Sequence, residues 1–417
     1  MLAPFNPDQL QAAVLSTKSL AGRKFLIVSA PFGNFSRVLA EVITSMGGQV
    51  ERMIFNAGDY VTWRRPGGMA FREDSQAWHR AVPKLAKAYT DIIVFGEGGP
   101  YNQAVLGQRQ QVSSRIWVLE NGYFRPDWIT LEEDGVNGSS SLPRNASGYP
   151  TPAPPLPVTR PVGKILPHHV INISLYHLYQ MVGGLAFPRY RHPYTMSPLW
   201  QFWGHVKRYL ALAGQPRQAC EADVIRSRGP FFIACLQREG DAQLLRYSKF
   251  ADNTAFLAEV MSSFAAHAPQ GARLVVKNHP LDPGLNDLAH MTRCLAVERG
   301  IEGRVDFIDG GNLAQLCRAA EGMVVNNSSA ALSALGFGTP VKVLGKAFFD
   351  FEGLTDQQVM DDFWVTPKAC DPTLFMAFRA HVIAKSQING NFHEPRAVKP
   401  TAQRIAEVLA GSRGSRT

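Results

Sequence analysis

Short apolar runs alternate with longer stretches of helical periodicity through most of this chain, the pattern of parallel sheets built from strand–helix–strand units. Residues 24–30 read as a first strand, followed by Pro-Phe-Gly-Asn-Phe-Ser and a helical stretch from Arg37 to Met46. Apolar runs at 50–55, 91–95 and 115–119 continue this into a Rossmann-like N-terminal half. A second series opens at 229–236 and runs through 273–277, 304–308, 322–325 and 341–344. Between the two lie Ser139–Pro161, with Pro-Ala-Pro-Pro-Leu-Pro at 152–157 that suits an extended loop, and a stretch at 168–213 rich in aromatic and basic residues, read as a helical connector. The expected class is α/β, with two Rossmann-like domains facing a central cleft. The expected divisions are an N-terminal Rossmann-like domain at 1–165, a connector at 166–220, a C-terminal Rossmann-like domain at 221–390, and a final helix with a frayed tail at 391–417.

At 417 residues, two domains are the default. An apolar fraction of 45% implies ample core, and no run approaches the ~18 uncharged apolar residues of a membrane span. The N-terminus lacks the basic start and apolar stretch of a signal peptide, so a cytoplasmic location is expected. Five cysteines without a Cys-x-x-Cys pair argue against a structural zinc site and read as buried apolar residues. A formal charge of +9 favours an anionic partner. The absence of a clustered basic run or an aromatic pair of RNA-binding type counts against nucleic acid.

Three apolar strands are each followed at once by polar groups, where the ligands of open α/β sheets bind. After 231–235 come Gln237 and Asp241; after 274–276 come Lys277, His279 and Pro280; after 322–325 come Asn326, Asn327, Ser328 and Ser329, opening an Ala-rich helix. A helix start with these residues can bind a phosphate through backbone N–H groups and hydroxyls, or one of them can simply cap the helix. Lys277 and His279 can reach an anion or be structural, and Gln237 and Asp241 can be ordinary turn residues. In the N-terminal half, Glu120 and Arg125 follow a strand, with Asn137 shortly after. Arg125 can hold a carboxylate in a bidentate fork or pair with Glu120.

Taken in order, Glu120-Asn-Gly-Tyr-Phe-Arg-Pro with Asn137-Gly-x-Ser, Gln237-x-x-x-Asp241, Lys277-x-His-Pro280, Ser328-Ser329 and Gly353-Leu-Thr-Asp356 resemble the KpsS/KpsC family of bacterial capsule polysaccharide proteins. The single set of motifs resembles the KpsS branch, since KpsC proteins carry two sets in tandem. The resemblance implies a GT-B-like retaining β-Kdo glycosyltransferase that takes CMP-Kdo as donor, needs no cofactor or metal, and builds the Kdo linker on a lysophosphatidylglycerol-type phospholipid acceptor. It implies Asp241 as nucleophile, with Gln237 and Glu120 as the other catalytic candidates. Binding candidates are Arg125, Asn137, Lys277, His279, Pro280, Asn327, Ser328 and Ser329. A second acid, Glu239, sits inside the Gln-x-x-x-Asp motif.

The partners this implies are a KpsC-like transferase, the capsule export machinery and an anionic membrane surface at the inner face of the cytoplasmic membrane, where the protein would be peripheral. In the connector, Arg189, Arg191, Lys207 and Arg208 with Phe187, Tyr190, Trp200 and Trp203 suit that surface, or the aromatics form an interdomain core. The alternatives are a metal-free sugar-nucleotide epimerase and a non-catalytic assembly or export component.

Overall fold

The computed structural model describes residues 19–192, 198–213, 225–238, 242–280 and 282–412, which leaves Asp241, Glu239 and Cys220 outside the described residues. The chain forms two compact units. The first comprises 1–136, 157–193 and 386–417, and the second 137–156 and 194–385.

The first unit is a seven-stranded sheet of β1 (Lys24–Ile27), β2 (Gln49–Ile54), β3 (Gly68–Ala70), β4 (Asp91–Phe95), β5 (Arg115–Asn121), β6 (Trp128–Glu133) and β12 (Gln387–Asn389), in the order β12-β6-β5-β4-β1-β2-β3. β1 to β5 run parallel, and β6 is antiparallel to both β5 and β12. The 3-2-1-4-5 order of the parallel strands is that of a Rossmann half. Strands covered on both faces read as continuous apolar runs, and Phe25, Leu26, Ile92, Ile93, Ile116 and Val118 are almost fully buried. One face is covered by the helices Phe35–Ser45 and Pro395–Gly411, which bring Phe35, Leu39, Ile43, Ala402, Ile405 and Leu409 onto Phe25 and Ile27. The starts of β1 and β4 are tied to β5 by buried Asp91, which accepts from Arg23 Nε at 2.9 Å and Trp117 Nε1 at 2.9 Å.

The second unit is an all-parallel sheet of β7 (Phe231–Cys235), β8 (Arg273–Lys277), β9 (Val305–Ile308), β10 (Gly322–Val325) and β11 (Val341–Val343), ordered β11-β10-β7-β8-β9. β7 and β10 are buried at every position. The helix Asn253–His267 covers one face through Phe256, Leu257, Val260 and Phe264, its start capped by Asp252, which accepts from Ala255 N at 2.8 Å.

The α/β class with two Rossmann-like units is as the sequence implies. The division along the chain differs from the boundaries expected at 165, 220 and 390. The 137–156 segment joins the second unit because Gly138 and Ser139 seat on Tyr247, and 386–417 joins the first because β12 adds to β6. The connector is two helices, Ile165–Val182 in the first unit and Pro198–Ala213 in the second. Its residues also divide: Phe187 belongs to the first unit's core, Tyr190 stacks on Tyr101, and Arg208 is buried in the second unit, while Trp200 and Trp203 are exposed. Three of the cysteines, Cys235, Cys317 and Cys370, are buried, whereas Cys294 is exposed.

Three imidazoles are held in the neutral form. Burial, reinforced by His169, lowers the pKa of His393 to about 3. Burial with His177 lowers His192 to about 4, and burial with Arg238 and Arg208 lowers His205 to about 4. A histidine lowered on folding leaves the folded state with fewer bound protons between its folded pKa and the ordinary 6.5, so stability is lost as pH falls through that window. The melting temperature should therefore drop between pH 7.5 and pH 5, and a His393→Gln variant, which cannot take the proton, should drop less. Thermal melts across that range check this, and equal drops in both proteins would contradict it.

Candidate functional site

In the second unit β10 and β8 flank β7 in parallel, with Val325 and Lys277 both in register with Cys235. The three chains therefore leave the sheet side by side, and the polar groups after each arrive at one edge. Gln237 ties two of these ends together. Its Oε1 accepts from Asn326 Nδ2 at 3.1 Å, and its Nε2 donates to Asn327 Oδ1 at 2.7 Å. Its backbone is held by Asn253, whose Nδ2 donates to Gln237 O at 2.9 Å and whose Oδ1 accepts from Gln237 N at 3.3 Å. Gln237 is buried, so its amide acts here as a crosslink that positions the β7 and β10 ends.

Behind β10, Gly345 N donates to Asn326 O at 2.8 Å, and a Cβ at Gly345 would fall 2.4 Å from Asn326 Oδ1, so only glycine fits. At the end of β8, Lys277 is buried with its Nζ donating to Asn278 O at 3.2 Å. Burial raises the neighbouring Cys235 thiol to about 11, with the Lys277 charge opposing that rise. Lys277 thus sets the charge beneath the edge. His279, half-buried, and Pro280, exposed, stand above it.

The loop carrying His279 is clamped by Arg208 from the helix Pro198–Ala213. Its Nη2 donates to His279 O at 3.2 Å, and its Nη1 donates to Pro280 O at 3.0 Å and Asp282 O at 2.5 Å. Its Nε donates to Asp309 Oδ2 at 2.9 Å, and Asn278 Nδ2 donates to Asp309 Oδ1 at 3.1 Å. The planar fork of an arginine is what allows one side chain to meet three carbonyls and a carboxylate. The close approach of that helix also requires Gly204, where a Cβ would lie 2.3 Å from Pro283 O.

Ser328 and Ser329 are half-buried at the start of the helix Ala330–Gly336. Ser328 Oγ accepts from Ala330 N at 3.3 Å, whereas Ser329, the N-cap residue, makes no side-chain capping bond. The helix has only seven residues, so an anion here would be met by hydroxyls and strand-end amides more than by a helix dipole. Asn137 belongs to this unit too, at φ 51, in the left-handed region that Asn tolerates. Next to it Gly138 lies under the Tyr247 ring, where a Cβ would meet it at 2.4 Å, and Ser139 Oγ is hydrogen-bonded to Tyr247 OH. Tyr247 ends the helix Ala242–Tyr247, which starts directly after Asp241. Asp356, of the Gly-Leu-Thr-Asp motif, is buried and accepts from Gln358 N and Lys368 N, both at 2.8 Å, which makes it a brace for the loop after β11.

Glu120 and Arg125 lie in the first unit, around the β5–β6 turn. Glu120 Oε1 accepts from Asn121 N at 2.9 Å, and Gly96, after β4 at φ 71, approaches so closely that a Cβ would sit 3.1 Å from Glu120 Oε2. Arg125 is exposed, its Nε donating to Gly122 O at 3.2 Å. The second unit thus brings together Gln237, Lys277, His279, Pro280, Asn327, Ser328 and Ser329 at one sheet edge. Asn253, Asn278, Arg208 and Asp309 hold that edge, and the sequence reading gave them no part in it, while Asn326, named there among the groups after β10, holds Gln237. Asn278 stands beside residues already singled out and was legible by position. Arg208 and Asp309 are 101 residues apart, and no local signal joins them.

The chain matches the family model described as capsule polysaccharide biosynthesis protein over residues 90–393, and it belongs to that family. It is 31% identical over 390 residues to the capsule polysaccharide export protein KpsS of Escherichia coli, covering 90% of this chain and 98% of that one. It is likewise 31% identical to the capsule polysaccharide modification protein LipB of Neisseria meningitidis serogroup B, covering 89% of this chain and 92% of that one. Among solved structures it is similar to the Thermosulfurimonas dismutans KpsC β-Kdo 2,7 transferase, with 14% identity, a TM-score of 0.44, and coverage of 94% of this chain and 100% of that one. At these values the last likeness says nothing of activity.

Arg208 holds the His279 loop from a buried position, so removing its charge strands Asp309 and three carbonyls. Arg208→Ala should lower the unfolding free energy by about 3 kcal/mol, the lower end for breaking a buried pair because Asp309 is 25% exposed. Chemical denaturation measures this, and a change below about 1 kcal/mol would mark the pair as an ordinary surface contact.

Proposed function

We propose that this chain is a retaining β-Kdo glycosyltransferase that transfers Kdo from CMP-Kdo to a lysophosphatidylglycerol-type lipid, starting the linker of a capsule polysaccharide. Membership of the capsule biosynthesis family supports the pathway. The observation that carries the reading is the edge of the second sheet, where three strand ends in register present Ser328 and Ser329, Asn327, and His279 above a buried Lys277. A nucleoside monophosphate leaving group carries a single phosphate, which hydroxyls, amides and one nearby cation can neutralise.

In this reading His279, Pro280, Asn327, Ser328 and Ser329 hold the CMP moiety, with Lys277 supplying charge and Gln237 keeping the β7 and β10 ends in place. Asn137 belongs to the same donor side. Retention of configuration follows from two displacements. The Asp241 carboxylate attacks the anomeric carbon, the bond to the phosphate oxygen breaks, and CMP leaves with the electron pair. The acceptor hydroxyl then attacks the anomeric carbon, the ester to Asp241 breaks, and the hydroxyl proton passes to a general base. Arg125 is assigned to the carboxylate that Kdo itself carries.

The test is incubation of the purified chain with CMP-Kdo and a lysophosphatidylglycerol analogue, followed by mass spectrometry. A lipid gaining one Kdo supports transfer. Neither product nor CMP release would leave a non-catalytic assembly component as the better reading.

Two variants probe the assignments. Asp241→Ala should abolish transfer while CMP affinity stays nearly unchanged, and protein given donor without acceptor should carry a Kdo adduct on the peptide containing Asp241. An adduct on Glu239 instead would move the nucleophile to that residue. Ser328→Ala combined with Ser329→Ala should weaken CMP binding by about tenfold, the worth of a hydrogen bond to a charged group. Unchanged affinity by calorimetry would show that the serines only shape the turn.

A further inference from the structure

The helix Ile165–Val182 of the first unit is built inside out. The side chains that attach it are polar: Tyr176 OH accepts from Asn56 Nδ2 at 2.8 Å and donates to Asp59 Oδ1 at 2.9 Å, His169 bonds His393 at 2.9 Å, and Gln180 reaches His192 at 3.0 Å. The opposite side is apolar and exposed, with Leu166, Val170, Ile171, Leu175, Leu178, Met181 and Val182 recurring at helical spacing, and with Leu185 97% exposed just beyond its end. Water-soluble helices turn their apolar stripe inward, so this reversal calls for something to cover it.

The helix contains no Asp, Glu, Lys or Arg. It is also not apolar enough to cross a membrane, as holds for every helix among the described residues. Exposed Lys164 immediately precedes it, and exposed Arg191 follows it nine residues beyond its end. The part of the first unit that carries this helix, 157–193, has no acidic residue and four Lys or Arg (Arg160, Lys164, Arg189 and Arg191), of which Arg189 pairs with Glu73. A protein-facing surface gains from mixed charges, whereas an apolar helix flanked by positive charge and stripped of negative charge matches an anionic lipid headgroup region.

We infer that the exposed face of the helix Ile165–Val182 docks the first unit on an anionic membrane surface, with the helix lying in the interface and Ile171, Leu175 and Leu178 entering the acyl boundary. The inference stands apart from the transfer reading, since the assay needs neither donor nor acceptor and either can fail alone.

The test is flotation of the full chain with phosphatidylserine–phosphatidylcholine vesicles, whose headgroups are not those of the proposed acceptor, against phosphatidylcholine alone. Wild-type protein should float with the anionic vesicles. An Ile171→Ser, Leu175→Ser, Leu178→Ser variant, altered only at exposed positions, should bind at least about tenfold more weakly with an unchanged melting temperature. A single Leu178→Arg variant separates apolar entry from charge: weaker binding supports entry, and unchanged or tighter binding means charge alone holds the protein and overturns the inference. No flotation of the wild type, equal flotation with phosphatidylcholine alone, or a wild-type dimer that the triple variant converts to monomer would each overturn it as well.

Discussion

A parallel ladder delivers every chain to the same edge of its sheet, and what the protein can do there depends on keeping the emerging chains in register. In the second unit that duty falls on the Gln237 amide, which spans from β7 to both asparagines after β10 while Asn253 grips its backbone. A primary amide offers a donor pair and an acceptor on one rigid plane, so it can serve two neighbours at once. A carboxylate in its place could accept but not donate, and would bring a charge into a buried cluster. The polar edge is therefore as much a product of the network beneath it as of the residues facing outward.

Arg208 performs the matching task on the other flank, from the helix Pro198–Ala213. Because it binds the carbonyls of His279, Pro280 and Asp282, the path of the loop after β8 is fixed by backbone recognition, whatever side chains that loop carries. The two flanks meet at Lys277, whose buried charge is felt by Cys235 beside it. The Gln237 and Arg208 clusters are each hydrogen-bonded within themselves, and in each the groups depend on one another being satisfied.

Much of this was legible in the sequence, because period and punctuation are local. The apolar runs of both sheets, the glycine and proline between them and the polar residues directly after β7, β8 and β10 are all written within a few positions of one another. What escaped was largely long-range or short, apart from β6, whose six residues pair with the adjacent β5. β3 and β12 are three residues each, too brief for a periodic signal, and β12 finds its partner across more than two hundred positions. Arg208 read as a surface residue, and Phe187 as either surface or core, because aromatics and cations in one stretch look alike whether they face lipid or a core. Burial decided between those readings, and it decided differently for neighbours: Phe187 is in the core, while Leu185 two residues earlier is almost wholly exposed.

The order in which the chain is made has a consequence for its assembly. The second unit is interposed in the first, whose strand β12 and helix Pro395–Gly411 follow it in the chain. All five strands of the second sheet leave the ribosome before β12, so that sheet can close while the first still waits for its final pieces. Until they arrive, Phe35, Leu39 and Ile43 lack the cover of Ala402, Ile405 and Leu409, each large side chain worth roughly 1.5–3 kcal/mol once buried. The part of the molecule that begins first is thus completed after the one inserted in it, and a chain cut just before β12 would carry one complete unit and one open hydrophobic face.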